Sequence, residues 1–448
     1  MIIRFIVENL FSFDKAQEFN MLPSGYKKSM KHHVIEFDSI GVLKLSAIYG
    51  ANGAGKSNLI KAISHLQRLV LGKITSKELH KNIFKLKEFN VDKKQLLAVE
   101  FYEQDKSFLY ALEIEKGIIL TEELYLIEQK DKKEILLFER KAKSEKSISL
   151  KFNADFENDD KNFMLKAVLE EDFINPYKPI FDYLINRGDS YFNDIRKAYN
   201  WFKESLNIIY PSSTNIGLVL KIEKDKRFAK YIEQTMCALD IGIKSIEIKR
   251  NEVDLDSLSP ENREKFNDND VRGLMINPTL LDVFEKEDDG KVYHKSLAIS
   301  HSGENNYQNS FSLDEESDGT KRLLHILPVI DEIANKRKVF FIDEIERSIH
   351  PSLIKKLIRK YSDDKSSKGQ LIFTTHESNL LDQTIFSQDE IWFAEKDKSG
   401  STSFITLNDF KEHRTIDIRK GYLNGRYGGI PFLGNFEELH WGINVDNE

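Results

Sequence analysis

The chain has 448 residues, too many for one small core, so two or three subdomains are expected. Hydrophobic residues make up 40%, enough for a packed interior, which excludes a largely disordered chain. With 66 Lys and Arg against 73 Asp and Glu, the formal charge of −7 argues against a chain-wide nucleic-acid footprint, though not against a local basic patch. Cys237 is the only cysteine, so no internal disulfide and no Cys-x-x-Cys zinc site can form, as in a reducing cytoplasm.

Met1 to Val7 (MIIRFIV) reads as a first strand. With Arg4 and Glu8, the start lacks the apolar core of a signal peptide. No run of about 18 apolar residues occurs, so no membrane span is expected. Leu45 to Tyr49 (LSAIY) is a short apolar run that ends at a Gly-rich loop. After it, Leu59, Ile60, Ile63, Leu66, Leu69 and Val70 recur at helical spacing. Between Leu96 and Glu128, LLAVEFY, SFLYALEI and IILTEELYLIE predict an antiparallel sheet with turns at Glu103–Asp105 and Lys116–Gly117. The Lys-rich stretch Lys130 to Lys146 reads as an exposed face.

From about Asp160 to Asp240 the pattern turns helical, punctuated by Pro176, Pro179 and Pro211, and no heptad pattern continues as a coiled coil would require. Trp201 and Phe202 in this stretch read as core rather than as a base-stacking platform. Asn251 to Asp270 and Glu285 to Gly290 are acidic and polar and read as loops. A helix follows near Lys321 to Ile333, and VFFI (Val339 to Ile342) and LIFTT (Leu371 to Thr375) have the short apolar form of buried parallel strands. The expected division is residues 1–150 as a first lobe, 151–245 as a helical insertion and 246–448 as a second lobe.

Four segments carry chemistry. Gly50-Ala51-Asn52-Gly53-Ala54-Gly55-Lys56-Ser57 matches G-x-x-x-x-G-K-[ST] between a strand and a helix. Glycines let backbone amides turn inward around phosphate oxygens, and the helix N-terminus adds its partial positive charge. Asn52, Gly53, Ala54, Gly55, Lys56, Ser57 and Asn58 are therefore the expected nucleotide-binding residues, with Lys56 on the β/γ phosphates and Ser57 on Mg2+. Val339 to Ile342 is followed by Asp343 and Glu344, carboxylates at a strand end suited to holding Mg2+ (Asp343) and polarising water (Glu344). His376 follows the next parallel strand and is expected near the γ-phosphate or the water. Ser317-Asp318-Gly319-Thr320 precedes a helix and reads either as a plain N-cap or as a second phosphate-binding surface. His32-His33 reads as a solvated pair, without spaced ligands for a metal.

In this order, these segments resemble the ABC-type ATPase heads, with Ser317-Asp318-Gly319-Thr320 as signature, Asp343 and Glu344 as Walker B pair and His376 as switch histidine. Asn9-Leu10-Phe11-Ser12-Phe13 is similar to the opening of SMC-like heads, and Glu344 to Pro351 (EIERSIHP) resembles the overcoming-lysogenization-defect and abortive-infection ATPases. The tail Gly421 to Phe432 (GYLNGRYGGIPF) resembles RloA-type ATPases, to which AriA is similar.

The resemblance implies an α/β P-loop head with an antiparallel β subdomain and a helical insertion. It implies ATP and Mg2+, hydrolysis with Lys56, Glu344 and His376 acting in cis, and Ser317 and Gly319 contacting the nucleotide of a second copy. The partners implied are a second head or a larger homo-oligomer, a separate toxic effector such as a nuclease, and a phage trigger protein. Three departures stand out: SDGT in place of SGGQ, His350 where transporters carry aspartate, and no Gln suited to Mg2+ among Gln67, Gln95 and Gln104. Slow turnover is the expected consequence. The first function reading is the cytoplasmic ATPase switch of a bacterial anti-phage system. The stretch after His376 is short for a fused Toprim nuclease, which favours a separate effector. The alternative is an SMC-like DNA-repair or DNA-binding head. A transporter subunit and a non-hydrolysing scaffold rank below these two.

Overall fold

A computed structural model describes the chain apart from residues 25–29, 38–39, 129, 131–132, 145–146, 159, 173–174, 187, 214–216, 240, 259, 268–272, 278–280, 413–415 and 429–448. It is an α/β protein of two compact units, one formed by Glu204–Phe373 with Met1, the other by Ile2–Lys203 with Thr374–Glu448. The end of the tail motif, Gly429 to Phe432, lies outside the described residues.

In the Ile2–Lys203 unit the alternating runs form an antiparallel sheet in the order Ser147–Phe152, Lys133–Ser144, Ile118–Glu128, Lys106–Glu115, Gln95–Glu103, Ile2–Glu8, Gln17–Asn20. Its hairpins turn at Gln104 and Asp105 (φ 45° and 62°) and at Lys116 and Gly117 (φ 49° and 82°). Two consecutive left-handed residues match the twist of antiparallel strands. Phe101, Phe108, Tyr110, Leu124 and Phe138 are buried, and the Phe101 ring stacks on Trp201 at 4.3 Å. Trp201 and Phe202 are fully buried core, as the sequence predicts.

The Lys-rich stretch exposes Lys133, Lys141 and Lys143 as read, but it also has a buried face. Lys133–Ser144 is a full strand in which Phe138 and Arg140 are buried. The apolar run Ile135 to Phe138 sits between the lysines and decides the outcome. Arg140 donates to the carbonyls of Ile119 and Asn175 (3.2 and 3.4 Å). His33 is likewise not solvated. It is buried, with Nδ1 2.8 and 3.0 Å from the two carboxylate oxygens of buried Glu390.

The same unit holds the P-loop layer. Leu45–Tyr49 is fully buried and pairs in parallel with Ile391–Lys396, Ala47 opposite Ile391 and Tyr49 opposite Phe393. Thr402–Thr406 extends this layer antiparallel. Helix Lys56–Val70 then buries Leu59, Ile60, Ile63, Leu66, Leu69 and Val70, the predicted stripe.

In the Glu204–Phe373 unit, Leu206–Ile209, Val339–Ile342 and Gln370–Thr374 pair in parallel, with helix Pro351–Asp363 in the connection between the last two. Leu206–Ile209 interrupts the stretch read as helical. A four-residue apolar run has no period that separates strand from helix, and its partner lies far along the chain. A second, antiparallel sheet is formed by Ile243–Val253, Val292–Ser302, Asp282–Lys286 and Gly273–Asn277, with Gln308–Ser312 added on Val292–Ser302. Two expected loops are therefore partly ordered: the strand runs to Val253, helix Pro260–Asn267 follows, and Asp282–Lys286 is a strand. Exposed charges there pair with neighbouring strands: the Arg250 guanidinium lies 3.5 Å over the Tyr293 ring and 2.6 Å from Glu287, just past Asp282–Lys286. Among the described residues, no helix is long and apolar enough to cross a membrane.

Candidate nucleotide site

The P-loop is positioned by the buried strand Leu45–Tyr49 on one side and by the helix that starts at Lys56 on the other. Gly55 caps that helix in the left-handed region (φ 107°), and a Cβ there would lie 2.1 Å from Thr402 Oγ1 and 2.8 Å from Ser12 Oγ. Only glycine fits both conformation and space. Behind the loop, the Thr402 hydroxyl is within 2.8 Å of the Ala54 carbonyl and 2.7 Å of Ser12 Oγ, and Asn58 Nδ2 donates to Ser12 Oγ at 2.8 Å. Ser12 belongs to the Asn9–Phe13 motif; nothing near Thr402 in the sequence marks it.

Lys56 is buried, and its ammonium donates to the carbonyls of Gly50 (2.7 Å) and Ala51 (3.0 Å). His376 Nδ1 lies 3.3 Å from the same ammonium. The histidine is brought there because the Thr375 amide donates to the Ile48 carbonyl at 3.0 Å, aligning the two chain segments at the end of the P-loop strand. Asn52 and Gly53 are exposed, Ser57 and Asn58 are half-buried, and a Cβ at Gly53 would meet nothing within 4 Å. A bent loop with open space beside Gly53, a cation at its base and a helix N-terminus beneath has the form of a phosphate cradle.

The tail joins this loop. Burial raises the Tyr422 phenol, and the polar Gly50 backbone beside it opposes the rise. Tyr422 and Tyr427 are buried, and both rings stack on Phe393 (5.7 and 5.3 Å). Beside the loop, Phe11, Ser12, Asn58, Phe84, Lys85 and Lys396 are among the residues lining a cavity of about 300 Å3.

Asp343, Glu344, Ser317 and Gly319 belong to the Glu204–Phe373 unit. Asp343 is buried at the end of Val339–Ile342, its amide bonded to the Ile209 carbonyl at 2.8 Å. Glu344 is half-buried and left-handed (φ 50°). Ser317 is the N-cap of helix Asp318–Asn335, its Oγ accepting from the Thr320 amide at 3.1 Å. Gly319, in the first turn, leaves room for the Ser348 carbonyl, which a Cβ would meet at 2.8 Å. His350 caps helix Pro351–Asp363, with Nδ1 accepting from the Ser352 amide at 3.3 Å. Of the glutamines, Gln67 donates to the Phe202 carbonyl (2.7 Å), Gln95 is buried against His80 (3.1 Å), and Gln104 forms a hairpin turn.

Residues 45–382 match the family described as "AAA domain, putative AbiEii toxin, Type IV TA system", which covers more than half of the sequence. The chain belongs to this family of AAA ATPase domains. Similar solved structures include the Smc head bound to the C-winged helix domain of ScpA, at 13% identity and TM-score 0.43, covering 92% of this chain and 99% of that one. They also include the SMC head domain from Thermotoga maritima, at 12% identity and TM-score 0.40, covering 90% of this chain and 98% of that one. The Pyrococcus furiosus Smc head domain with an extended coiled coil, bound to the C-terminal domain of ScpA, is similar at 12% identity and TM-score 0.41, over 92% of this chain and 99% of that one. Likenesses at these values carry no weight for function. No curated protein matches the sequence.

Proposed function

We propose that the chain binds ATP with Mg2+ in the Gly50–Ser57 loop and hydrolyses it as an ABC-type head. The observation that carries this reading is the P-loop cradle with Lys56 at its base and His376 on the same ammonium. Lys56 would exchange the Gly50 and Ala51 carbonyls for phosphate oxygens, at little cost, because both partners accept from a cation. Ser57 and Asp343 offer the hydroxyl and carboxylate oxygens that Mg2+ takes. When bound, that ion would neutralise charge on the phosphate oxygens. Glu344 polarises the attacking water, and His376 orients the water or the γ-phosphate. Ser317 and Gly319, at the start of an 18-residue helix, serve the nucleotide of a second copy.

Within this reading, residues 1–150 and 246–448 act as the two ATPase lobes and 151–245 as the insertion between them. Turnover is slow, as SDGT in place of SGGQ and His350 in place of aspartate imply. We read the biological role as the cytoplasmic sensor ATPase of an anti-phage system that controls a separate toxic effector. The family's description, which speaks of a toxin and a type IV toxin–antitoxin system, supports that direction.

The test is phosphate release by wild type and Glu344→Gln, together with light scattering with and without ATP and Mg2+. Loss of turnover with an ATP-dependent increase in mass supports the composite site. Unchanged turnover in Glu344→Gln sinks the role of Glu344, and an unchanged mass sinks the trans role of Ser317 and Gly319.

A further inference from the structure

Helix Asp318–Asn335 carries a buried cation that the reading above does not use. Arg322 is 5% exposed, and none of its three guanidinium nitrogens has a hydrogen-bond partner among the described residues. A buried charge without hydrogen bonds is costly, because its desolvation is at most partly compensated. A group held at that cost calls for an explanation, and a second state of the molecule that uses it is one.

The position of Arg322 indicates what that use is. Gly319 and Arg322 are three residues apart and so share a helix face, and a helical side chain leans back toward the N-terminus of its helix. That face is covered by the loop after Val339–Ile342, whose Ser348 carbonyl occupies the space a Cβ on Gly319 would need. The loop is bent at Glu344 (φ 50°) and Ser348 (φ 61°), two non-glycine residues in the left-handed region. Burial pushes the Arg322 guanidinium down, Arg347 adds to that, and Glu344 and Glu346 oppose it. The charges around Arg322 thus come from the loop that presents Glu344.

We propose that Arg322 is a positioning residue for hydrolysis: its guanidinium closes on the Glu346 carboxylate when nucleotide engages the turn at Ser317 and Gly319, and so fixes the bent loop that presents Glu344. The inference rests on the ATPase reading of Glu344. Glu346 is the partner because Glu344 needs its own carboxylate for water, while Glu346 is half-buried two residues further on. Arg347 is exposed and carries the second positive charge out to solvent.

The experiment compares wild type, Arg322→Met, Arg322→Lys, Glu346→Gln and the double variant Arg322→Met/Glu346→Gln in the full chain. Steady-state ATP turnover and the nucleotide-free thermal midpoint are measured for each. Arg322→Met replaces an unbonded buried cation with an apolar chain, so its midpoint is expected to rise while kcat falls about tenfold to a hundredfold. KM for ATP is expected to stay within about threefold, since the side chain does not contact the nucleotide. Arg322→Lys restores part of kcat. Glu346→Gln matches the loss seen in Arg322→Met, and the double variant loses no more than either single one. A lowered midpoint in Arg322→Met, with kcat falling only in proportion to folded protein, marks an ordinary structural residue and overturns the proposal. Unchanged kcat, or losses that multiply in the double variant, overturn it as well. Wild-type turnover is measured first: its absence overturns the hydrolysis reading and this inference with it. An active wild type with an indifferent Arg322→Met overturns this inference alone.

Discussion

The Lys56 ammonium and the His376 imidazole meet at 3.3 Å although 320 positions separate them. The same ammonium donates to the carbonyls of Gly50 and Ala51, so the resting loop makes the bonds that phosphate oxygens would take over. For Nδ1 to accept from a cation, the ring must carry its proton on Nε2.

That pairing separates two variants. His376→Ala is expected to lower kcat about tenfold to a hundredfold with little change in KM, because it removes an orienting group and leaves the cradle intact. Lys56→Ala is expected to weaken ATP binding at least about tenfold, because a charge-assisted contact to phosphate is lost. Steady-state turnover and a fluorescent-nucleotide titration check both. A His376→Ala protein with wild-type kcat removes the histidine from the mechanism.

Gly55 is tested by the methyl it excludes. In Gly55→Ala the new Cβ meets Thr402 Oγ1 at 2.1 Å and Thr402 Cγ2 at 2.7 Å, on a backbone held at φ 107°. The strain is expected to cost about 1–3 kcal/mol and to lower the thermal midpoint by several degrees, with loss of nucleotide binding. Adding Thr402→Ala relieves the clash but not the φ, so recovery of stability should be partial. Full recovery would mean that the clash alone mattered.

How much of this was readable in advance follows from distance along the chain. The strand, loop and helix around Gly50–Ser57 are local, so spacing and residue type were enough to place them. The strands at Val339 and Gln370 were readable for the same reason. Ser12–Thr402, Tyr422–Gly50 and His33–Glu390 are pairs of remote residues with no local period, and only the folded chain shows them. Leu206–Ile209 was missed because a four-residue strand is defined by its partner. In Lys133–Ser144 the lysines Lys133, Lys141 and Lys143 do form an exposed face, and the strand's buried face, with Phe138 and Arg140, is what counting lysines hides.

The tail contact makes its own prediction. The Gly50 backbone lies close enough to the Tyr422 hydroxyl to oppose the rise of its pKa, so Tyr422→Phe removes a polar group beside the P-loop. With that polar neighbour gone, the loop is expected to lose ATP affinity roughly fivefold to tenfold. The ring stack on Phe393 survives the substitution, so the thermal midpoint should move far less than the affinity. Equal affinities in calorimetric titrations of Tyr422→Phe and wild type would separate the tail from the nucleotide site.

His325 gives the Glu204–Phe373 unit a pH dependence. Burial, with the Arg322 charge adding to it, pushes this imidazole from 6.5 down to about 4. Between those values the unfolded chain binds more protons than the folded one, so stability rises with pH across that window. The contribution is complete above 6.5 and is lost as pH falls toward about 4. A shift of this size corresponds to roughly 3 kcal/mol. His325→Gln removes the titrating group, so its midpoint should fall less than that of wild type between pH 7 and pH 4.5. The difference between the two proteins isolates His325 from the carboxylates that titrate in the same range. Parallel midpoint curves would mean that the folded imidazole protonates as readily as the unfolded one, and that His325 is reached by water.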